Sequence, residues 1–478
     1  MFLAAPLAAF DVTVAGTGIT GLWTAYTLSN ELEKAGLGNQ VTLHIVSKVD
    51  WQEMLSHAKD QEIIDFSDET SGWGPVGLQL NSGITPWNMD GSKIELFKRS
   101  IGNLDSSYYI SPEMDEEGKL FIEMFAGWHD NHLETNSKRP IAMEAVNRLA
   151  SDLWKEFKDQ IGSEEAAKIH LTFDGIATVV PDLSALEGSI KGYVEKQFPF
   201  ETYKDSAKLA KRLPLYAETI LEKNWQGLFL SGDGSVESNE LRHYLWNALL
   251  EKRGGRPKVV FHLGSGIESF LPSSTGVRLE DGTDISSDLV VLAMGYGTKQ
   301  LLQSKNVPLP LGKIWGSVLK ASLQNEDSSL FTGGVSVRPL GLFALVPSGK
   351  YYISSYQHSF LLPSDTIPSP LLFKERLKEK VRTLAGNQLK EETIQFFVAP
   401  RVMTPDDLPI IDLEATLENV IVLLPTGHMG LTQSPALGKL ATLHILKRLG
   451  QEVELPISLE AYRADRFKME EVSFKIFQ

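Results

Sequence analysis

Gly16, Gly18 and Gly21, in the stretch VAGTGITGLWTAYTL from Val14 to Leu28, have the GxGxxG spacing of a loop that cradles a pyrophosphate. The first glycine permits a tight turn, the second lets the backbone approach the phosphates, and the third allows a helix to pack close to a strand. The N-terminus of that helix offers free N–H groups and a partial positive charge. The backbone from Gly16 to Gly21, Ile19 and Thr20 included, is therefore read as the phosphate contact. The spacing means little without its context, and the context is present. A strand from Asp11 to Ala15 leads in, a helix runs from about Gly21 to Ala35, and QVTLHIVS, Gln40 to Ser47, follows as a second strand. Together they form a βαβ unit whose right-handed crossover makes the strands parallel. The acid that usually ends the second strand and binds ribose is replaced by Val46, Ser47 and Lys48. Ser47 has a hydroxyl suited to a ribose and Lys48 a charge suited to the adenosine phosphates; both also read as solvated strand-end residues.

The rest of the chain has to position this loop. At 478 residues it is too long for a single core, and 42% hydrophobic with 22% charged residues is ordinary for a globular protein. A net charge of −15 and a pI near 5.2 argue against nucleic acid as a partner. The absence of cysteine removes disulfides, thiolate metal sites, cysteine nucleophiles and thioether-linked cofactors, and fits a cytoplasmic location. No metal site is expected. The apolar opening MFLAAPLAAF lacks the basic flank of a signal peptide, and no run reaches the length of a membrane span.

From Leu96 to Trp225 short strands mix with amphipathic helices such as EAVNRLASDLWKEFKDQI, Glu144 to Ile161, which reads as part of a second domain. Near Gly232 the chain returns to the first. SNELRHYLWNALLEKRGG is a helix with a capping serine and a glycine stop. GVRLEDGTDISSDLVVLAMG reads as a hairpin with an Asp-Gly turn, then a buried strand ending at Gly295. GLFALVPSGKYYISSYQ reads as a hairpin turning at Ser348-Gly349, Leu371 to Leu384 as an amphipathic helix, and the segment after NVIVLLP as a glycine turn and a helix from about Leu431 to Leu449.

This interrupted arrangement resembles the flavoproteins of the D-amino acid oxidase family, which includes glycine oxidase and sarcosine oxidase. The resemblance rests on the GxGxxG unit, on TSGWGPVGLQLNSGITPW, on GDGSVESNELRHYLWNAL, on DLVVLAMG, and on PRVMTPDDLPII followed by NVIVLLPTGHMGLTQSPALGKLA. It departs at the strand end already noted, at Asp407 where the family usually has glycine, and over about Gly91 to Trp225, where no family motif can be carried over. The resemblance implies an α/β fold with a Rossmann-like FAD-binding domain, discontinuous over 8–95, 226–304 and 400–478. A mixed-sheet α+β substrate domain would take 96–225 and 305–399.

It also implies non-covalent FAD and oxidation of a C–N bond of a small-molecule amine or amino acid by hydride transfer, with oxygen or another acceptor taking the electrons. Asn81, Ser82 and Gly83 would lie near the flavin ring, with Trp73 and Trp87 shaping access. Gly427, His428 and the backbone of Gly430, Leu431 and Thr432 would face the flavin, the helix dipole favouring negative charge there. Arg338 and Arg401 are the candidates for a bidentate grip on a carboxylate, with Arg401 placed in the cofactor domain near the flavin; each also reads as a structural ion pair. Alternation puts Tyr352, Tyr356 and His358 on one face, either lining a pocket or packed against a neighbour. Two alternatives remain open, an NADPH-using flavin monooxygenase and a non-catalytic binding protein on the same fold.

Overall fold

A computed structural model describes residues 9–50, 63–65, 78–79, 93–103, 106, 108–131, 138–195, 199–251, 254–272, 276–324, 334–345, 351–356, 359–363, 371–425, 427, 429–467 and 476–477. The opening βαβ unit is formed by the first strand, Phe10–Ala15, the first helix, Ile19–Lys34, and the second strand, Val41–Ser47. The first strand is central in a six-stranded sheet. Its neighbours run in the order Lys258–Leu263, Val41–Ser47, Phe10–Ala15, Leu289–Leu292, Val420–Leu424 and Ile410–Leu413. The first five are parallel and the last is antiparallel. Val12, Val14, Val291 and Ile421 are fully buried, as parallel strands covered on both faces require. One face carries the first helix, the helix Ser238–Leu250 and the last helix, Gly430–Arg448. The other packs on a small antiparallel sheet, Ile267–Phe270, Gly276–Leu279 and Asp284–Ser286, in which Gly282 (φ 86°) makes the expected Asp-Gly turn.

The second sheet has nine strands on its main path: Ile63–Asp65, Gln395–Met403, Gly312–Ser322, Tyr351–Tyr356, Leu342–Leu345, Gly334–Val337, Ile176–Val180, Gln226–Leu230 and Phe200–Tyr203. Its two faces have different neighbours. Trp315, Leu319, Ala321, Val335, Val337, Ala344, Tyr352, Phe396 and Val398 point into a core closed by the helices Ser206–Arg212, Ala217–Glu222 and Leu371–Ala385. Val318 and Ile353, on the opposite face, join the core of the first domain. That second face is the one turned toward the first domain, the side on which the resemblance implies the cofactor.

Three placements differ from the sequence reading. The helix Lys138–Lys168, interrupted at Gly162, packs on the first domain: the rings of Trp154 and Phe157 lie tilted against Trp23 of the first helix, with centroids 4.5 and 4.8 Å away. Its apolar stripe announces burial without saying against which sheet. Gln226–Leu230 pairs with Ile176–Val180, so the return to the first domain comes after this strand rather than at 226. Gln395–Met403 pairs along Gly312–Ser322, so the last crossing falls after Met403. Among the described residues, no helix is long and apolar enough to cross a membrane.

Candidate active site

The three glycines of the opening loop do different work. Gly16 has φ 105°, and a Cβ there would lie 2.4 Å from the Ala293 carbonyl oxygen; one at Gly21 would lie 1.9 Å from the Gly16 oxygen. Both are therefore required by the protein's own backbone. Gly18 has ordinary extended angles (φ −62°, ψ 171°), and a Cβ there would meet nothing within 4 Å. The protein's own backbone therefore makes no demand for this second glycine, whose bare Cα leaves open space at the loop. The first helix has no side-chain cap and no acid in its first turn, leaving its N–H groups to an anion. Thr20 ties this end to the last helix by a 2.8 Å hydroxyl contact with Ser434. The cradle fits the diphosphate of the FAD that the resemblance implies.

The strand-end residues are committed within the protein. The Ser47 hydroxyl lies 2.7 Å from that of Thr17 and donates to the Val49 carbonyl at 2.8 Å. Lys48 pairs with Glu280 at 3.4 Å, both half-exposed. Gly295 adopts φ 58° where the chain leaves its strand, close to Val402.

The last helix is the second N-terminus at this end of the sheet. It begins at Gly430, without a side-chain cap or an acid in its first turn. Leu431 and Thr432 are buried, and the Trp154 indole donates to the Thr432 carbonyl at 3.2 Å. Gly427, with φ 45°, donates its N–H to the Val402 carbonyl at 2.8 Å, which seats this loop on the end of the strand Gln395–Met403, just before the Thr404-Pro405-Asp406-Asp407 turn. The turn is fixed by charge. Arg466 grips the buried Asp406 carboxylate with two hydrogen bonds of 2.7 and 3.0 Å, and Arg139 donates to the Asp406 carbonyl at 2.9 Å. Burial lowers the Arg139 pKa, while Asp406 and Asp407 favour its charge.

Arg401 pairs in register with Ile314, on the cofactor side of the second sheet, and its guanidinium lies over Gly316. A Cβ at Gly316 would come within 2.7 Å of Nη2. Burial lowers its pKa, opposed by the nearby Tyr108. Tyr108, in turn, is pushed up to about 12, first by burial and then by Asp407, with Arg401 acting the other way. Tyr108 thus responds to both Arg401 and Asp407, and the Asp407 carboxylate lies beside Gly427. Sequence reasoning singled out Arg401 and noted Asp407 only as a departure. It missed Tyr108, because a tyrosine in a segment without a recognisable pattern carries no signal. Arg401 belongs to the second sheet, a correction to its placement in the cofactor domain; the Thr-Pro-Asp turn that follows it carries the chain back to the cofactor sheet.

The other candidates do not join this group. Arg338 starts a short 3₁₀ turn at the end of its strand, is exposed, and donates to the Ser189 hydroxyl at 2.8 Å. Tyr352 is fully buried in the helix-covered core, because its register partner is Ala321, whereas Ile353, beside Lys320, faces the cofactor side. Tyr356 pairs in register with Leu342. Trp73, Asn81, Ser82, Gly83, Trp87, His358 and His428 lie outside the described residues.

Comparison with known proteins gives a consistent result. The profile of the FAD dependent oxidoreductase family (DAO) matches residues 106–443, well over half of the chain. Among solved structures, the glycine oxidase of Geobacillus kaustophilus superposes with a TM-score of 0.63 at 14% identity, covering 96% of this chain and 99% of that one. The L-proline dehydrogenase of P. horikoshii gives 0.61 at 14% identity, covering 98% and 100%. The L-amino acid deaminase of Proteus vulgaris gives 0.58 at 17% identity, covering 98% and 96%. At such identities the likeness is one of fold. A search of curated protein sequences finds no match.

Proposed function

The chain belongs to the FAD dependent oxidoreductase family, and on that premise we propose that it oxidises a C–N bond of a small-molecule amine or amino acid, the imine being hydrolysed afterwards. The observations that support this reading are the open cradle at Gly18, the uncapped start of the last helix, tied to the first helix through Thr20 and Ser434, and the Arg401 guanidinium over Gly316 on the second sheet. FAD, when bound, would supply the hydride acceptor, with oxygen or another acceptor as the final electron sink.

The protein's part is binding, orientation and electrostatics. The free N–H groups at the uncapped start of the first helix would hold the diphosphate, whereas the Gly16 N–H donates to the Val46 carbonyl and fixes the loop. N–H groups at Gly430 to Thr432 place positive potential where negative charge develops. Arg401 holds an anionic substrate group by two parallel hydrogen bonds, the geometry a guanidinium offers a carboxylate. Tyr108, neutral at physiological pH, keeps its proton on Oη as a donor. Val318 and Ile353, on the same face of the second sheet as Arg401, are buried against the first domain and keep that face apolar. No side-chain base is needed for the hydride step when the amine arrives neutral. A cytoplasmic location, suggested by the cysteine-free sequence, belongs to the same proposal.

The test is to isolate the protein, release its flavin by acid, and challenge the holoprotein without oxygen. Bleaching by an amine or amino acid supports the reading. Bleaching only by NADPH would favour a monooxygenase, and failure to take up FAD would favour a binding role.

A further inference from the structure

Asp407 occupies an unusual backbone position. Its φ of 56° is left-handed, a conformation that glycine adopts freely and other residues adopt at a cost. The turn would be satisfied by glycine, yet here it carries a carboxylate that is only 2% exposed. Its backbone N–H donates to the Thr404 carbonyl at 3.1 Å, which fixes the turn without the side chain. The side chain points toward the loop before the last helix: Oδ1 would be 3.5 Å from a Cβ placed on Gly427. Arg139 and Tyr108 both sense the charge of this carboxylate, and Arg401 acts on the same Tyr108 from the other side. Asp406, next to it, has a separate task, held by Arg466 and tied to the Leu408 N–H.

From this geometry we propose that Asp407 is a tuning residue for the bound flavin, a buried negative charge behind the Gly427 loop that makes the flavin harder to reduce. The inference rests on the FAD reading above. A carboxylate in a partly desolvated setting acts over several ångströms, because little water intervenes to screen it. Placed close to the uncapped start of the last helix, it offsets part of the positive potential there, with Arg139 and Arg401 as the flanking cations. The turn therefore does two jobs: its backbone returns the chain from the Arg401 strand to the first sheet, and its side chain sets the charge balance behind the Gly427 loop.

Asp407→Gly and Asp407→Asn test this together. Both residues accept a left-handed backbone, so the turn is kept while the charge is removed. Each holoprotein is equilibrated with a reference dye under a reducing system, and the ratio of reduced to oxidised FAD is read from the spectrum, with the thermal midpoint measured alongside. The ratio at a fixed potential should rise at least tenfold in both variants, a shift of about 30 mV for a two-electron couple. Unchanged flavin equilibria accompanied by a lowered thermal midpoint would overturn the proposal and leave Asp407 as a counter-charge for Arg139. A wild-type protein that takes up no FAD would overturn the FAD reading and this inference with it.

Discussion

Replacing Gly18 and Gly16 separately by alanine should split cofactor binding from folding. At Gly18 the added methyl meets no atom within 4 Å, and its backbone angles are open to any residue. The apoprotein should therefore be unharmed, or stabilised by about 0.4–1 kcal/mol through a less flexible unfolded chain. With FAD present the same methyl stands between the backbone and the diphosphate. Loss of one or two charge-assisted hydrogen bonds, each worth about 1.5–3 kcal/mol, costs about 2–6 kcal/mol of binding. That is a loss in affinity of about 30- to 2.5 × 10⁴-fold. Gly16→Ala should act on the fold instead. Its φ of 105° and a contact of 2.4 Å with the Ala293 oxygen combine backbone strain of about 1–3 kcal/mol with overpacking of similar size. The assay is a fluorescence titration of apoprotein with FAD beside a denaturation curve. A Gly18→Ala protein that binds FAD as the wild type does, or a Gly16→Ala protein of undiminished stability, would refute this division of labour.

Other perturbations separate site from scaffold. Arg401→Lys keeps the charge but loses the planar fork, so kcat/KM for an anionic substrate should fall about 10–100-fold, as expected where bidentate pairing is lost; equal kinetics would remove Arg401 from substrate binding. Tyr352→Ala should cost about 3–5 kcal/mol of stability as a core truncation, with turnover per folded molecule retained at low temperature; selective loss of turnover in a stable protein would place Tyr352 at the site. Arg466→Met strands the Asp406 carboxylate in a buried turn and should destabilise by about 3–5 kcal/mol, visible in a urea unfolding curve. His44 and His262 lie 3.1 Å apart on adjacent strands, and burial holds both below the ordinary value of 6.5, with each other's charge adding to the effect at His44. The folded state then binds fewer protons than the unfolded state, so their contribution is complete above about pH 6.5 and is lost as pH falls from there. His262→Gln should flatten the acid limb of a stability-versus-pH curve, and an unchanged limb would assign the loss to other groups.

Elements whose local chemistry is self-contained were legible in the sequence. The glycine loop, the Asp281-Gly282 turn and the last helix each announce themselves through residues that only one local structure suits. Relations between distant elements were not. Alternation correctly groups Tyr352 with one face of its strand, but the pleat cannot say which face a helix will cover, and the helices that cover it lie far away in sequence. The stripe on Lys138–Lys168 has the same ambiguity, resolved only by Trp23 and Thr432. Arg338 and Arg401 are indistinguishable by residue type; register and a bare Gly316 beneath Arg401 separate them. At Asp407 the departure from glycine was visible, and the left-handed backbone explains why glycine is usual there.

The most direct test of the central claim is anaerobic mixing of the FAD-loaded protein with a panel of amines and amino acids, following the visible flavin absorption. The account predicts that at least one member bleaches the flavin and yields the corresponding carbonyl compound with released amine. A protein that holds FAD firmly, is reduced readily by dithionite, and is left oxidised by every C–N compound in a broad panel would contradict it.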